Sequence, residues 1–238
     1  MSYGYEYSVA AQAASSDRAA FIRRTYAHLA GAILAFVGIE ALLLNVMTEA
    51  TQVRVHNLMA GSYAGWLVVM LAFMGAGWIA RAWAHSETSP AMQYMGLGLY
   101  VVAWSIIFLP MLIEATHLID KTVVPTAGIL TLAVFGGLTL SVFVTRKDYS
   151  FLQPILCVGS MIALGVILVA MLIGFSLGLL FSFAMVALAS GYILYGTSRV
   201  MLHYRTDQYV GASLELFASV ALLFWYILQI VMSFSSRD

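Results

Sequence analysis

Charged side chains are scarce in this 238-residue chain. They make up 9% of it, against about 25% in an ordinary soluble domain. That is too little polar surface to cover a water-soluble globule. Eleven basic and eleven acidic residues leave a formal net charge of zero, so nothing here attracts nucleic acid. There is one cysteine, Cys157, which excludes an intrachain disulfide and any Cys/His zinc spacing. It lies in an apolar run and reads as a core packing residue. The N-terminus lacks a cationic stretch followed by an apolar one, so it does not read as a signal peptide.

Apolar residues take the place of charge. They reach 62% of the chain, and the mean hydropathy is +0.93. A membrane span needs roughly 20 mostly apolar residues. Uncharged stretches run between Arg54 and Arg81, Glu87 and Glu114, and Lys121 and Arg146. The longest, between Asp148 and Arg199, holds fifty residues. As one helix it would be about 75 Å long, so it splits into two spans with a turn at Gly174–Gly178. The expected fold is all-α and polytopic, with seven transmembrane helices at 25–47, 57–80, 91–115, 125–145, 151–172, 176–198 and 209–232. Residues 1–24 form a flexible tail, 25–234 the transmembrane domain and 235–238 a second tail.

Seven spans put the two termini on opposite sides. Arg18, Arg23, Arg24, Arg81, Arg146, Lys147, Arg199 and Arg205 fall on the N-terminal side, against Arg54, Lys121 and Arg237 on the other. An excess of basic residues marks the cytoplasmic side. The N-terminus is therefore expected in the cytoplasm and the C-terminus outside. Small residues spaced for close helix contact occur as Gly61 and Gly65, as Gly174 and Gly178, and as Ala27, Gly31 and Ala35 on one face of the first span.

Catalytic motifs fare poorly. Gly211-Ala212-Ser213 resembles the start of an intramembrane serine protease motif, but Leu214 follows where that motif has glycine, and no histidine lies after His203. Glu114 and His117 have an ExxH spacing that occurs once, at a helix end. No HExxH, P-loop or dinucleotide fingerprint is present. The reading is non-enzymatic, with no cofactor, no metal site and no catalytic residues.

Carboxyls inside spans are costly and tend to face a bundle interior or an aqueous cavity. Glu40 lies past the middle of the first span. Glu215 lies about 9 Å of helix rise into the seventh. Both are candidates for an ion path or a pH sensor, with Arg199 and Arg205 as possible ion-pair partners for Glu215. Glu114 sits near a helix end, and His28 at the start of span one reads as interfacial.

Four segments carry a family resemblance: "FIRRTYAHLAGAILAF" (21–36), "VTRKDYSFL" (144–152), "SGYILYGTSRV" (190–200) and "YVGASLEL" (209–216). Together they resemble the Bax inhibitor-1 family. The TRKD loop and the closing "SSRD" (235–238) are most similar to its bacterial YccA-like branch. The resemblance implies a six-helix bundle around a central seventh helix. It also implies one of two activities. The first is binding and modulation of the FtsH membrane protease with its HflK/HflC partners, at a bacterial inner membrane, with the tail 1–24 as a contact. The second is a pH-sensitive calcium leak worked by a pair of aspartates. Gly196 and Phe217 stand where those aspartates would be, with Ser219 at the second position if the register shifts. The missing pair favours protease modulation.

Overall fold

A computed structural model describes residues 9–59, 63–86 and 89–236. Its helices, in order, are α1 (Ser15–Val46), α2 (Glu49–Met59), α3 (Tyr63–Ala84), α4 (Pro90–Glu114), α5 (Val123–Thr145), α6 (Leu152–Ile173), α7 (Gly178–Leu202) and α8 (Tyr209–Ser235). A π-helical turn, Ala115–Ile119, follows α4. All but α2 are long and apolar enough to cross a membrane, giving seven candidate spans. The expected all-helical, seven-span architecture is the one observed.

The C-terminal helix α8 runs through the centre, packed by α1, α3, α4, α5 and α7. Leu214, Leu216, Leu223 and Leu228 along it are fully buried. Helix α4 is as deeply enclosed, with Tyr100, Phe108 and Leu112 almost without exposure. Helix α6 sits outermost and leans on α7.

Local chemistry explains the helix ends. Ser89 accepts a hydrogen bond from the Met92 amide at 3.3 Å, and Pro90 takes the first helical position of α4, where its missing N–H costs nothing. The turn between α6 and α7 falls on Gly174 and Gly178, whose φ angles of 76° and 66° lie in the left-handed region open to glycine.

Four expectations differ from what is observed. Helix α1 begins at Ser15, so residues 15–24, assigned to the tail, are helical and Phe21 is already in the core. Helix α2 occupies residues left between the first two expected spans, together with the start of the second, 57–59. Gln52 anchors it by donating to the Leu44 and Met47 carbonyls at the end of α1, at 2.8 and 3.1 Å. Ala27, Gly31 and Ala35 face outward, while the buried stripe of α1 is Phe21, Thr25, Leu29, Ala32, Phe36 and Glu40. Cys157 is exposed on the outer face of α6 and is not a core residue. The last two share one cause. Outward faces of a membrane bundle are as apolar as inward ones, so hydropathy does not separate them. Gly61 of the expected Gly61–Gly65 pair lies outside the described residues, as does Arg237.

Candidate functional site

The end of the bundle that carries the N-terminus gathers the polar residues. Helices α3 and α7 finish there, and α8 begins there. Each brings one charged side chain to the same point: His85 just after α3, Arg199 in the last turn of α7, and Glu215 in the second turn of α8.

Arg199 donates from Nη1 to Glu215 Oε2 at 3.0 Å, and His85 Nε2 lies 3.4 Å from Oε1. The two cations therefore take one carboxylate oxygen each. Glu215 is about one-third exposed, at 31%. Gly211 makes this approach possible. A Cβ there would sit 3.0 Å from His85 Nε2 and 3.2 Å from the Ala84 carbonyl oxygen, so a larger residue would force the end of α3 away from α8.

The protonation of His85 follows from its other hydrogen bond. His85 Nδ1 lies 2.9 Å from the Arg81 carbonyl oxygen, which can only accept, so Nδ1 carries a proton. A neutral ring would then point the Nε2 lone pair at a carboxylate. The ring satisfies both acceptors, the Arg81 carbonyl and Glu215, only when it holds both protons; a neutral ring has one N–H to share between them. The hydrogen bond to Glu215, helped by the Arg81 carbonyl, raises the His85 pKa above its ordinary value; burial and Arg199 oppose it.

Aromatic rings complete the cluster. The Arg199 guanidinium lies 4.6 Å from the centroid of the Tyr204 ring and 5.5 Å from that of Tyr195. The Tyr204 hydroxyl is buried and faces Glu215; burial pushes its pKa up, so it stays protonated. Arg81 donates to the Tyr100 hydroxyl at 3.1 Å. Above Tyr204 lies the N-terminal segment: the Ala10 amide donates to the Tyr204 carbonyl at 2.9 Å, and Val9 bridges Arg205. Arg205 itself pairs with Asp207, at 2.8 Å, rather than with Glu215.

A second polar group ties the α5–α6 loop to the end of α7. Asp148 accepts from the Ser150 amide and hydroxyl at 2.9 and 2.6 Å, and meets His203 at 2.9 Å. The Ser150 bonds, joined by that of His203, hold its carboxyl down at about 2. Nearby, the Tyr149 amide donates to Ser198 at 2.9 Å.

Glu40 does not join Glu215. The His28 and Tyr209 rings, 5.0 Å apart, set α1 and α8 level at this end. Glu40 lies twelve residues beyond His28, about 18 Å along; Glu215 lies six beyond Tyr209, about 9 Å along. Between their levels lies an aromatic layer. Phe36 meets Phe108 at 5.1 Å and Phe217 at 6.2 Å, and Phe217 meets Tyr100 at 6.2 Å. Glu40 is 5% exposed, and neither carboxyl oxygen has a hydrogen-bond partner.

The two positions without the family aspartates are apolar in structure as well as in sequence. Phe217 is part of the aromatic layer. Gly196 is buried against Leu216, whose Cδ2 would lie 3.2 Å from an added Cβ. Ser219 donates to the Glu215 carbonyl at 3.0 Å. Ser213, of the discarded protease motif, donates to the Val210 carbonyl at 2.7 Å. Glu114 lines a cavity at the opposite end. Among the described residues, no three His, Cys, Asp or Glu side chains converge.

Sequence reading did not single out His85, Tyr204, Arg81 or Tyr100. The one local signal was Arg81 and His85 four residues apart, on one helix face. Their partners lie far along the chain, on other helices.

Comparison with known proteins places this geometry in a family. The family model described as "Inhibitor of apoptosis-promoting Bax1" matches residues 18–236. A protein of Pseudomonas aeruginosa with an uncharacterized role is 31% identical over 215 residues, covering 88% of this chain and 87% of its own. Protein lifeguard 4 of Mus musculus is 27% identical, covering 93% of this chain and 88% of its own. Protein LIFEGUARD 2 of Arabidopsis thaliana is 27% identical, covering 92% and 90%. The chain belongs to the Bax inhibitor-1 family, and as a multi-pass membrane protein it contacts the lipid bilayer.

Proposed function

We propose that this chain is a pH-responsive cation leak of its membrane, conducting rather than catalysing, and closed in the structure described. The observation that carries the reading is the proton-dependent contact between His85 and Glu215. Arg199 and imidazolium His85 each engage one oxygen of the Glu215 carboxylate near the N-terminal end of the central helix. A carboxylate so engaged offers no free oxygen to a hard cation such as calcium. Behind it, the rings of Phe36, Tyr100, Phe108 and Phe217 pack into an apolar layer between Glu215 and Glu40.

The direction of the response follows from His85. Its pKa is raised, so the contact is complete below the ordinary histidine value of about 6.5 and fades as pH climbs through the raised value. Loss of that proton leaves the ring one donor for two acceptors, which weakens its hold on Glu215 and loosens α3 from α8. The leak is therefore smaller at pH 6 than at pH 8. The basic end, by the excess of arginine and lysine, faces the cytoplasm. His85 and Glu215 do here what the resemblance assigned to two aspartates.

The other expectation, binding and modulation of the FtsH protease with HflK/HflC by the YccA-like branch, placed the contacts on a flexible tail over 1–24 and on helix faces within the membrane. Helix α1 takes up residues 15–24 and Ala10 is docked on Tyr204, which favours the leak. The test is calcium flux into proteoliposomes holding the purified protein at pH 6 and pH 8. A larger flux at pH 8 is expected. No flux above empty liposomes at either pH overturns the leak.

A further inference from the structure

A cavity of about 1160 Å³ opens among α3, α4, α6, α7 and α8, in the half of the bundle away from His85 and Glu215. It exceeds the roughly 300–1,000 Å³ that pockets for drug-sized molecules occupy.

The lining is graded from one end to the other. At the C-terminal end of the bundle it is polar: His56, Glu114, Ser182, Gln229 and Ser233. Ser182 donates to the Gln229 side-chain carbonyl oxygen at 3.1 Å. Towards the middle of the bundle the wall becomes mainly apolar, with Phe73, Ile107, Ala163, Leu164 and Leu222, and the hydroxyl of Ser160 there is hydrogen-bonded to that of Tyr192 at 2.8 Å. Along α8 the cavity runs from Leu222 to Ser233, eleven residues or about 16 Å of rise. Half of a hydrocarbon core about 30 Å thick is about 15 Å. The cavity has the depth of one leaflet, polar where headgroups lie and apolar where chains end.

Water has little to bind at the apolar floor, where genuinely apolar cavities stay dry. Hydrocarbon satisfies the floor, and a polar head satisfies the mouth. The charge at the mouth adds one more requirement. Glu114 is the acidic side chain among the lining residues, so the complementary head carries an ammonium group.

We propose that this cavity binds one phospholipid of the C-terminal-side leaflet, its acyl chains between α6 and α8 and an ammonium headgroup at Glu114. This does not rest on the leak reading. A bound lipid here differs from the shell around the bundle in two ways. It is retained through purification, and it is enclosed by Ala163 and Ala170 on α6 and by Trp225 and Tyr226 on α8.

The test uses the full chain in nanodiscs of phosphatidylethanolamine or phosphatidylglycerol, transferred to mild detergent and weighed by native mass spectrometry. One phosphatidylethanolamine per chain is expected, with at least fivefold less phosphatidylglycerol. Ala163→Phe at the floor with Ala170→Phe nearer the mouth fills the cavity and should remove the adduct. Glu114→Gln changes neither shape nor packing; it should keep a lipid but lose the preference between heads. No retained lipid, equal retention in the cavity-filled variant when it melts like the parent, or equal affinity for both heads in the parent overturns the proposal. So does a dimer without lipid, which would make a second copy the occupant.

Discussion

The His85 ring and the Glu215 carboxylate stand 3.4 Å apart, with the Nδ1 proton of His85 already given to the Arg81 carbonyl. With an acceptor at each ring nitrogen, only imidazolium makes both bonds, and a neutral ring must give one of them up. The partners are each about one-third exposed, at 33% and 31%, so solvent weakens the pair. Partly exposed ion pairs contribute up to about 1 kcal/mol, or roughly fivefold in a two-state equilibrium.

His85→Gln is the direct check. Glutamine keeps a donor toward Glu215 but cannot titrate. The parent leak should rise roughly fivefold from pH 6 to pH 8, the scale set by an exposed pair. The variant should show one flux at both values. Calcium entry into proteoliposomes reads the ratio, and a variant with the full parental pH ratio would remove His85 from the gate.

Gly211→Ala tests the same contact without replacing a titrating group. The new Cβ would come within 3.0 Å of His85 Nε2 and 3.2 Å of the Ala84 carbonyl, one of which is backbone and does not swing aside. The end of α3 has to move off α8. Flux at pH 6 should then approach the parental value at pH 8. An unchanged flux at pH 6 would mean that the α3–α8 approach does not control conduction.

Much of this fold is readable from the sequence, and the reason is specific. Seven runs of about twenty apolar residues have one stable arrangement in lipid, because backbone groups there must bond within their own helix. Gly174 and Gly178 divide the longest run because the chain needs left-handed residues to reverse. Helix α2 escapes the same reading. It is too polar for a span, and Gln52 and His56 hold it by bonds to α1 and to the Pro110 carbonyl. The inward faces escape it too: Leu29 and Leu34 are equally apolar, yet one is 2% and the other 71% exposed. Glu215 is conspicuous in the sequence because a carboxyl in a span is costly. His85, 130 positions earlier and at a helix end, carries no such mark.

Arg199→Met should destabilise the protein. It strips Glu215 of its closer partner and leaves the carboxylate half-buried beside His85 alone. A fully buried pair broken this way costs about 3–5 kcal/mol; partial exposure reduces that to about 1–2. The melting temperature in detergent should fall, and Arg199→Met with Glu215→Leu should recover most of the loss. Failure of the double variant to recover stability would show that Arg199 acts through Tyr204 and Tyr195 instead.

Removing residues 2–13 probes the cover over the cluster. Ala10 is fully buried, its amide bonded to the Tyr204 carbonyl, and the Tyr204 ring lies against Arg199. Without that segment, Tyr204 and the Arg199–Glu215 pair meet solvent, and screening weakens them. Flux should rise at both pH 6 and pH 8 while the ratio between them stays near that of the parent, since His85 is untouched. A deletion that leaves flux unchanged would make the segment a structural tether only.

Glu40 calls for the opposite kind of change. It lies beyond the Phe36 layer, enclosed by α1 and its neighbours, with both oxygens unpartnered. An unsatisfied buried polar group costs about 1–3 kcal/mol. Glu40→Leu keeps the volume and removes the polar atoms, so the variant should melt higher than the parent by about 1–2 kcal/mol. Two results are then separable. If Glu40→Leu is more stable and still leaks, the carboxyl is a cost the bundle carries without using it in conduction. If it is more stable and no longer leaks, the cost is the one that intramembrane carboxyls bear when they serve a passing cation, and Glu40 becomes the second station of the path after Glu215. A variant less stable than the parent would show that the carboxyl has a partner in the membrane, and would remove Glu40 from the list of unsatisfied groups.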